Sequence, residues 1–146
     1  VIVGLWGCAG HSHKHFKHTD SGYMNRLNVV QNYTAVTAAC MAVRKTVFNE
    51  VGGFNEKDLS VAFNDVDLCL KIQAKGYRNL WTPYAEMIHH ESSSRGAEDT
   101  PEKKAREAKE IAYMQSTWHL DTAVDTAYSP WLTQEKEDFS FIIEKR

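Results

Sequence analysis

No apolar run in this 146-residue chain approaches the roughly 18–20 residues that a membrane-spanning helix needs. The longest candidate, Val1 to Leu5, is broken at Gly4 and runs into a Gly/Cys/His stretch. Cysteine is scarce. Cys8, Cys40 and Cys69 are odd in number and form no CxxC pair, so neither a disulfide framework nor a cysteine-based zinc site is expected. Each has apolar neighbours and reads as a small core residue, which suits a reducing compartment. No Gly-rich phosphate loop of either standard kind is present. The net charge of −2 gives no electrostatic reason to expect nucleic acid as a partner. There is no internal repeat, no low-complexity tract and no signal-peptide pattern. An initiating Met is also lacking. The chain opens at Val1 inside a strand-like run and is expected to be part of a longer protein.

What remains is a globular composition, 42% hydrophobic and 25% charged, at the size of one domain. Val1 to Trp6 reads as a short buried strand. Gly7 to Gly22, with His11, His13, His15 and His18, reads as a mobile or ligand-facing loop. Tyr23 to Tyr33 is ambiguous. Ala35 to Val43 is small and apolar and suits a buried strand. Lys45 to Val51 reads as a short helix stopped by Gly52-Gly53, since Gly takes the left-handed conformation cheaply. The spacing predicts a helix over Asn64 to Lys75, with Asn64 as cap and Asp67 reaching back in a capping box. Val66, Cys69 and Leu70 form its apolar face, and Gly76 ends it. Strands are expected at Tyr77 to Pro83 and Ala85 to His90. Thr100-Pro101 opens a second helix running to about Leu120, its Lys/Arg/Glu side solvated. From Asp121 to Arg146 the chain reads as an irregular tail. Helices alternating with strands make the class α/β.

Three constellations could carry chemistry. Asn64-Asp65-Val66-Asp67 puts the Asp65 carboxylate at a helix head, where the dipole favours its ionised form, as a general base requires. Acids also stand in first turns simply to cap. His89-His90-Glu91 puts adjacent histidines on opposite faces of a strand, so at most one faces a cleft. A single His binds a divalent metal only where carboxylates or phosphates complete the set. The third is the His11–His18 loop. Arg95, in Ser92-Ser93-Ser94-Arg95-Gly96, suits an anion such as a diphosphate.

Taken in order, several segments are familiar together. They are Ala38-Ala39-Cys40-Met41-Ala42-Val43-Arg44, Val51-Gly52-Gly53-Phe54-Asn55-Glu56, Phe63-Asn64-Asp65-Val66-Asp67-Leu68-Cys69-Leu70-Lys71, Gly76-Tyr77-Arg78, Trp81-Thr82-Pro83-Tyr84-Ala85, His89-His90-Glu91-Ser92 and Ser94-Arg95-Gly96. The set closely resembles the C-terminal, acceptor-side half of family 2 inverting glycosyltransferases of the bacterial rhamnosyltransferase-like kind. It covers residues 35–96, with a helix at 100–120 and a tail at 121–146 completing a single fragment, 1–146.

The resemblance implies a partial GT-A fold, a mixed sheet with flanking helices, whose nucleotide-binding half is absent. It implies sugar transfer from a nucleotide-diphospho-sugar to the hydroxyl of a glycan or lipid-linked acceptor, in polysaccharide or cell-surface glycan synthesis. Asp65 matches the acceptor-deprotonating acid, and His89 matches a ligand to Mn²⁺ or Mg²⁺. Arg95 would lie near the diphosphate. Asn64, Asp67, Gly53 and Trp81 are expected at the substrate site, with Gly52-Gly53-Phe54 and Ala38–Cys40 shaping the acceptor pocket. Asn64 stands where the family often has an acid, and Ala38 where Gly is usual. Asp65-Val66-Asp67 matches a metal-binding DxD only as a string. The chain alone is expected to be inactive, and to dimerise through the sheet edge that the absent half would cover. Relatives act in the cytoplasm or at the inner membrane face. Two other readings stand beside this one. A non-catalytic carbohydrate-binding or scaffolding module would use Trp6, Trp81, Trp118, Trp131 and Tyr84 as stacking platforms. A small metalloprotein would use the four clustered histidines.

Overall fold

Three apolar clusters organise the chain, and the helices fall where their stripes demand burial. The computed structural model describes residues 1–89 and 100–142. Within it, helix α1 spans Lys45–Glu50, α2 spans Asn64–Ala74 and α3 spans Pro101–Trp118. Val66, Cys69 and Leu70 of α2 pack with Met114 of α3 and with Val3, Cys8, Leu59 and Leu120 in the main core. The opposite side of α2, Leu68 and Ile72, packs on Val47 of α1. α2 is thus buried on two sides, which a single i, i+3, i+4 stripe would not give.

The strands are short. β1 (Ile2–Val3) pairs antiparallel with β2 (Ala9–Gly10), and β3 (Gln31–Tyr33) pairs antiparallel with β4 (Asn79–Trp81). Asn32 faces Leu80 in the second register. Among the described residues these are two separate two-stranded sheets, so the expected mixed sheet is not formed as one layer. Asn79 ties the second pair to α2, its Nδ2 donating to the carbonyls of Thr34 (2.8 Å) and Cys69 (3.0 Å).

Several expectations are corrected. Ala35–Val43 is not a strand: Ala38–Cys40 forms a 3₁₀ turn, with Thr37 Oγ1 accepting the Ala39 N–H at 3.3 Å. Residues 85–89 carry no strand pairing. Their side chains stand out in solvent, leaving no partner edge in reach. Leu5–Gly7 turns out of the first strand in a 3₁₀ turn, and Tyr23–Asn28 resolves into irregular 3₁₀ turns. α3 begins as expected, with Pro101 first and Thr100 Oγ1 accepting the Lys103 N–H at 3.3 Å.

Cys8 and Cys69 are buried, but Cys40 is exposed on its turn rather than in the core. Burial pushes the Cys8 and Cys69 thiols up to about 11, so both stay protonated at neutral pH. A chromogenic disulfide reagent on the native protein is expected to label Cys40 fast and the other two only on unfolding. Rapid reaction at either buried thiol would contradict this packing.

The tail is irregular but anchored. Phe139 is buried with Ile2, Leu5, Tyr128 and Leu132, and its ring stacks on Tyr23 at 4.7 Å. His13 lies 4.6 Å from the Phe139 ring and accepts the Tyr23 N–H through Nε2 at 3.1 Å. That bond needs a neutral imidazole. Burial, and after it the Arg26 charge, hold the His13 pKa below its ordinary value of 6.5. The unfolded chain therefore takes up a proton that the folded chain resists. The contribution is fully present above about pH 6.5 and is lost as the pH falls through the depressed folded value. Melting temperature is expected to fall from about pH 7.5 to about pH 5.5. His13→Gln, which keeps an acceptor but cannot titrate, should flatten that slope, and an unchanged slope would refute the assignment.

Asp125 joins the two ends of the described chain. Its buried carboxylate accepts the N–H groups of Val3 and Ala127, each at 2.8 Å, and the Thr34 hydroxyl.

Candidate active site

The head of α2 is built around a strained approach. Phe63 precedes the helix in the left-handed region (φ 61°) and occupies the capping position without a side-chain hydrogen bond. A non-Gly residue there costs on the order of 1–2 kcal/mol, so its surroundings must hold it. They do so through Glu110 of α3, which is 2% exposed. Its Oε1 accepts Ser60 Oγ at 3.1 Å and the Val61 N–H at 2.9 Å, and its Oε2 accepts the Ala62 N–H at 3.1 Å. Arg106 Nε lies 3.7 Å from the same carboxylate. The acid on α3 thus clamps the loop that delivers Phe63, Asn64 and Asp65.

Asn64 is the first helical residue, not the cap, because the left-handed Phe63 already turns the chain into the helix. Asp65 follows, half-buried. Its Oδ2 accepts the Ala38 N–H at 3.0 Å and its Oδ1 accepts the Val66 N–H at 2.8 Å. The dipole of α2 also favours a negative charge there. The sequence-distant Ala38 turn is therefore seated against the Asp65 carboxylate.

Asp67 does not close a capping box, and its expected substrate contact is not available. The residue is 1% exposed. Trp118 Nε1 donates to its Oδ1 at 2.9 Å, and Lys71 Nζ stands 3.0 Å from its Oδ2. The same ammonium donates to the Gly53 carbonyl at 2.6 Å. Asp67 therefore fastens the end of α3 and the Gly52-Gly53 turn to α2. Trp118 spends its N–H there and is only half-exposed, which weakens it as a sugar platform. Gly53 is buried with φ 64°, and a Cβ would lie 2.9 Å from the Phe48 ring, so glycine is required.

Trp81 sits apart from this group. It lies on β4, edge-on to Tyr33 at 6.5 Å, and lines an open cavity of about 940 Å³. Val36, Thr37 and Cys40 form part of the same wall, while Asp65 is not among the lining residues. Asp65 stands behind that wall, bonded to Ala38. Trp6, Trp131 and Tyr84 are exposed, as stacking platforms would be.

His89 is exposed, and among the described residues no group of three His, Cys, Asp or Glu could hold a metal ion. His11, His13, His15 and His18 thus do not converge on a common ion. His18 meets only Glu86, at 3.8 Å on the surface. Arg95, His90 and Glu91 lie outside the described residues.

The buried acids Glu110 and Asp125 were not singled out from sequence. For Glu110 a signal existed: it stands four residues before the core Met114, on the apolar side of α3 rather than the solvated one.

An acid-headed helix, clamped by a second helix beside an open cavity, is an α/β substrate site. Residues 9–133 match the family described as glycosyl transferase family group 2, and the chain belongs to that family. Among curated relatives, the uncharacterised protein y4gI of Sinorhizobium fredii is 52% identical over 139 residues, 95% of this chain and 15% of that protein. The O-antigen biosynthesis protein RfbC of Myxococcus xanthus is 34% identical over 142 residues, 94% of this chain and 10% of that protein. The N-acetylglucosaminyl-diphospho-decaprenol L-rhamnosyltransferase of Mycobacterium tuberculosis is 34% identical over 61 residues, 42% of this chain and 20% of that protein. The chain spans a fifth or less of each of these relatives. No solved structure matches it. Among the described residues, no helix is long and apolar enough to cross a membrane.

Proposed function

We propose that this chain is the acceptor-side part of a GT-A glycosyltransferase domain, acting in polysaccharide or cell-surface glycan synthesis. The donor is a nucleotide-diphospho-sugar, whose base and ribose are held by residues outside this sequence. Asp65 takes the proton from the acceptor hydroxyl. The freed oxygen attacks the anomeric carbon from the face opposite the diphosphate. The bond from that carbon to the diphosphate oxygen breaks, the diphosphate leaves with the electron pair, and the configuration inverts. Asp67, Lys71 and Glu110 act as positioning residues for Asp65 and the Gly53 turn. Arg95 is proposed to approach the departing diphosphate.

A divalent ion such as Mn²⁺ or Mg²⁺ would neutralise that diphosphate, with His89 as a ligand. The described residues do not fit a metal site by themselves, since they gather no three-ligand group. No step here is derived through the ion.

The observation that supports this reading is the Asp65 carboxylate at the head of α2, held by two backbone N–H groups at 3.0 and 2.8 Å and backed by a strained, clamped loop. The family to which the chain belongs, and relatives named for O-antigen biosynthesis and rhamnosyl transfer, point the same way. The intact protein should transfer sugar from a nucleotide-diphospho-sugar, and the anomeric protons of the product should report inversion by NMR. A product of retained configuration would overturn the mechanism. Saccharide binding without transfer from any donor would favour the carbohydrate-binding module.

A further inference from the structure

The cavity beside Trp81 has a chemistry that the transfer reaction has not used. Arg44 and Arg78 both line it, from segments on either side of α2 in the sequence. No Asp or Glu lines it. Among the described residues neither guanidinium has an ion-pair partner. The acid closest to this region in the bonding pattern, Glu50, accepts the Tyr77 hydroxyl at 3.0 Å and is not in the lining. Two cations thus face one space with no internal counter-charge.

Apolar surface shares that space. Val43, Leu80 and Met87 line the cavity while remaining 38%, 56% and 75% exposed. Tyr33 and Trp81 add aromatic faces. Large apolar side chains left in water at a cavity mouth mark a surface that gains by being covered. A neutral glycan would leave both guanidinia without a partner. A bare phosphate would leave the apolar mouth wet. Guanidinium forks match phosphate oxygens, and about 940 Å³ has room for a further group.

We propose that this cavity binds an amphiphilic anion, a diphosphate ester bearing an apolar chain, with Arg44 and Arg78 on the diphosphate and Val43, Leu80 and Met87 along the chain. Naming this ligand the acceptor, a lipid-linked sugar, rests on the glycosyl transfer reading. The binding itself does not.

Titration calorimetry on the intact protein tests it, with geranyl diphosphate, inorganic diphosphate and a nucleoside diphosphate as separate probes. Geranyl diphosphate should bind at least about tenfold more tightly than inorganic diphosphate. Arg44→Gln and Arg78→Gln, both at exposed positions, should each weaken it about tenfold without moving the melting temperature. Leu80→Ser should weaken geranyl diphosphate and leave inorganic diphosphate unchanged. Equal binding of inorganic diphosphate would reduce the site to free phosphate chemistry and overturn the proposal. Arginine-dependent binding of the nucleoside diphosphate in preference to geranyl diphosphate would assign the pair to the donor and overturn it equally. Unchanged geranyl diphosphate affinity in both arginine variants would also overturn it, whatever the transfer assay gives. Arginine-dependent geranyl diphosphate binding in a protein that transfers no sugar would uphold the site and sink the transferase reading alone.

Discussion

Asp65→Asn in the intact protein is expected to lower kcat/KM for sugar transfer by about 10²–10⁴-fold, the usual worth of a positioned general base. Asn is close to isosteric but cannot take the acceptor proton. The two carboxylate oxygens each accept a backbone N–H, from Ala38 and from Val66. Asn retains one oxygen and turns an amide donor toward the other N–H. That costs about 1 kcal/mol, a few degrees in melting temperature for a chain of this size. The expected signature is thus a large loss of rate with a small loss of stability. Nucleotide-sugar affinity should hold, because Asp65 is proposed to touch the acceptor rather than the donor. Transfer within about threefold of wild type would remove Asp65 from the mechanism, since a general base is worth far more than that.

How far this site was legible in the sequence depended on the range of the contacts. α3 was readable because its start is local: Thr100 caps and Pro101 follows within one turn. Gly76, at φ 83°, was readable for the same reason. α2 was placed from its apolar stripe, but its cap was misassigned. Asn64 is the better capping residue by type, yet the clamp on residues 60–62 forces Phe63 into the turn. The Ala35–Val43 segment has the composition of a buried strand. It became a 3₁₀ turn because Asp65, 27 residues away, takes the Ala38 N–H. Asp67 was expected at the substrate and instead meets Trp118, 51 residues away. Periodicity reports which face is apolar. It does not report which polar side chain will find three donors from a distant loop.

Glu110→Ala is the substitution expected to cost the most stability. Glu110 is 2% exposed and satisfies Ser60, Val61 and Ala62, beside Arg106. Alanine would leave two backbone N–H groups and a hydroxyl without their acceptor and deprive the guanidinium of its nearby carboxylate. Removing one partner from such a buried charged network costs about 3–5 kcal/mol. Against a total stability on the order of 5–15 kcal/mol, that is a melting-temperature drop of roughly 10–20 °C. Glu110→Gln keeps a carbonyl acceptor and the shape, and should lose about half as much. The consequence reaches the site, because the same loop holds Phe63 at φ 61° directly before Asn64 and Asp65. Once released, that residue relaxes toward an ordinary conformation and the helix head shifts. At a temperature where the variant is still folded, transfer should therefore fall with Asp65 itself intact, and Glu110→Gln should restore most of it. A Glu110→Ala protein that melts within about 2 °C of wild type would show that the clamp carries little of the fold. One that melts much lower but transfers normally would show that the fold needs the clamp and the helix head does not.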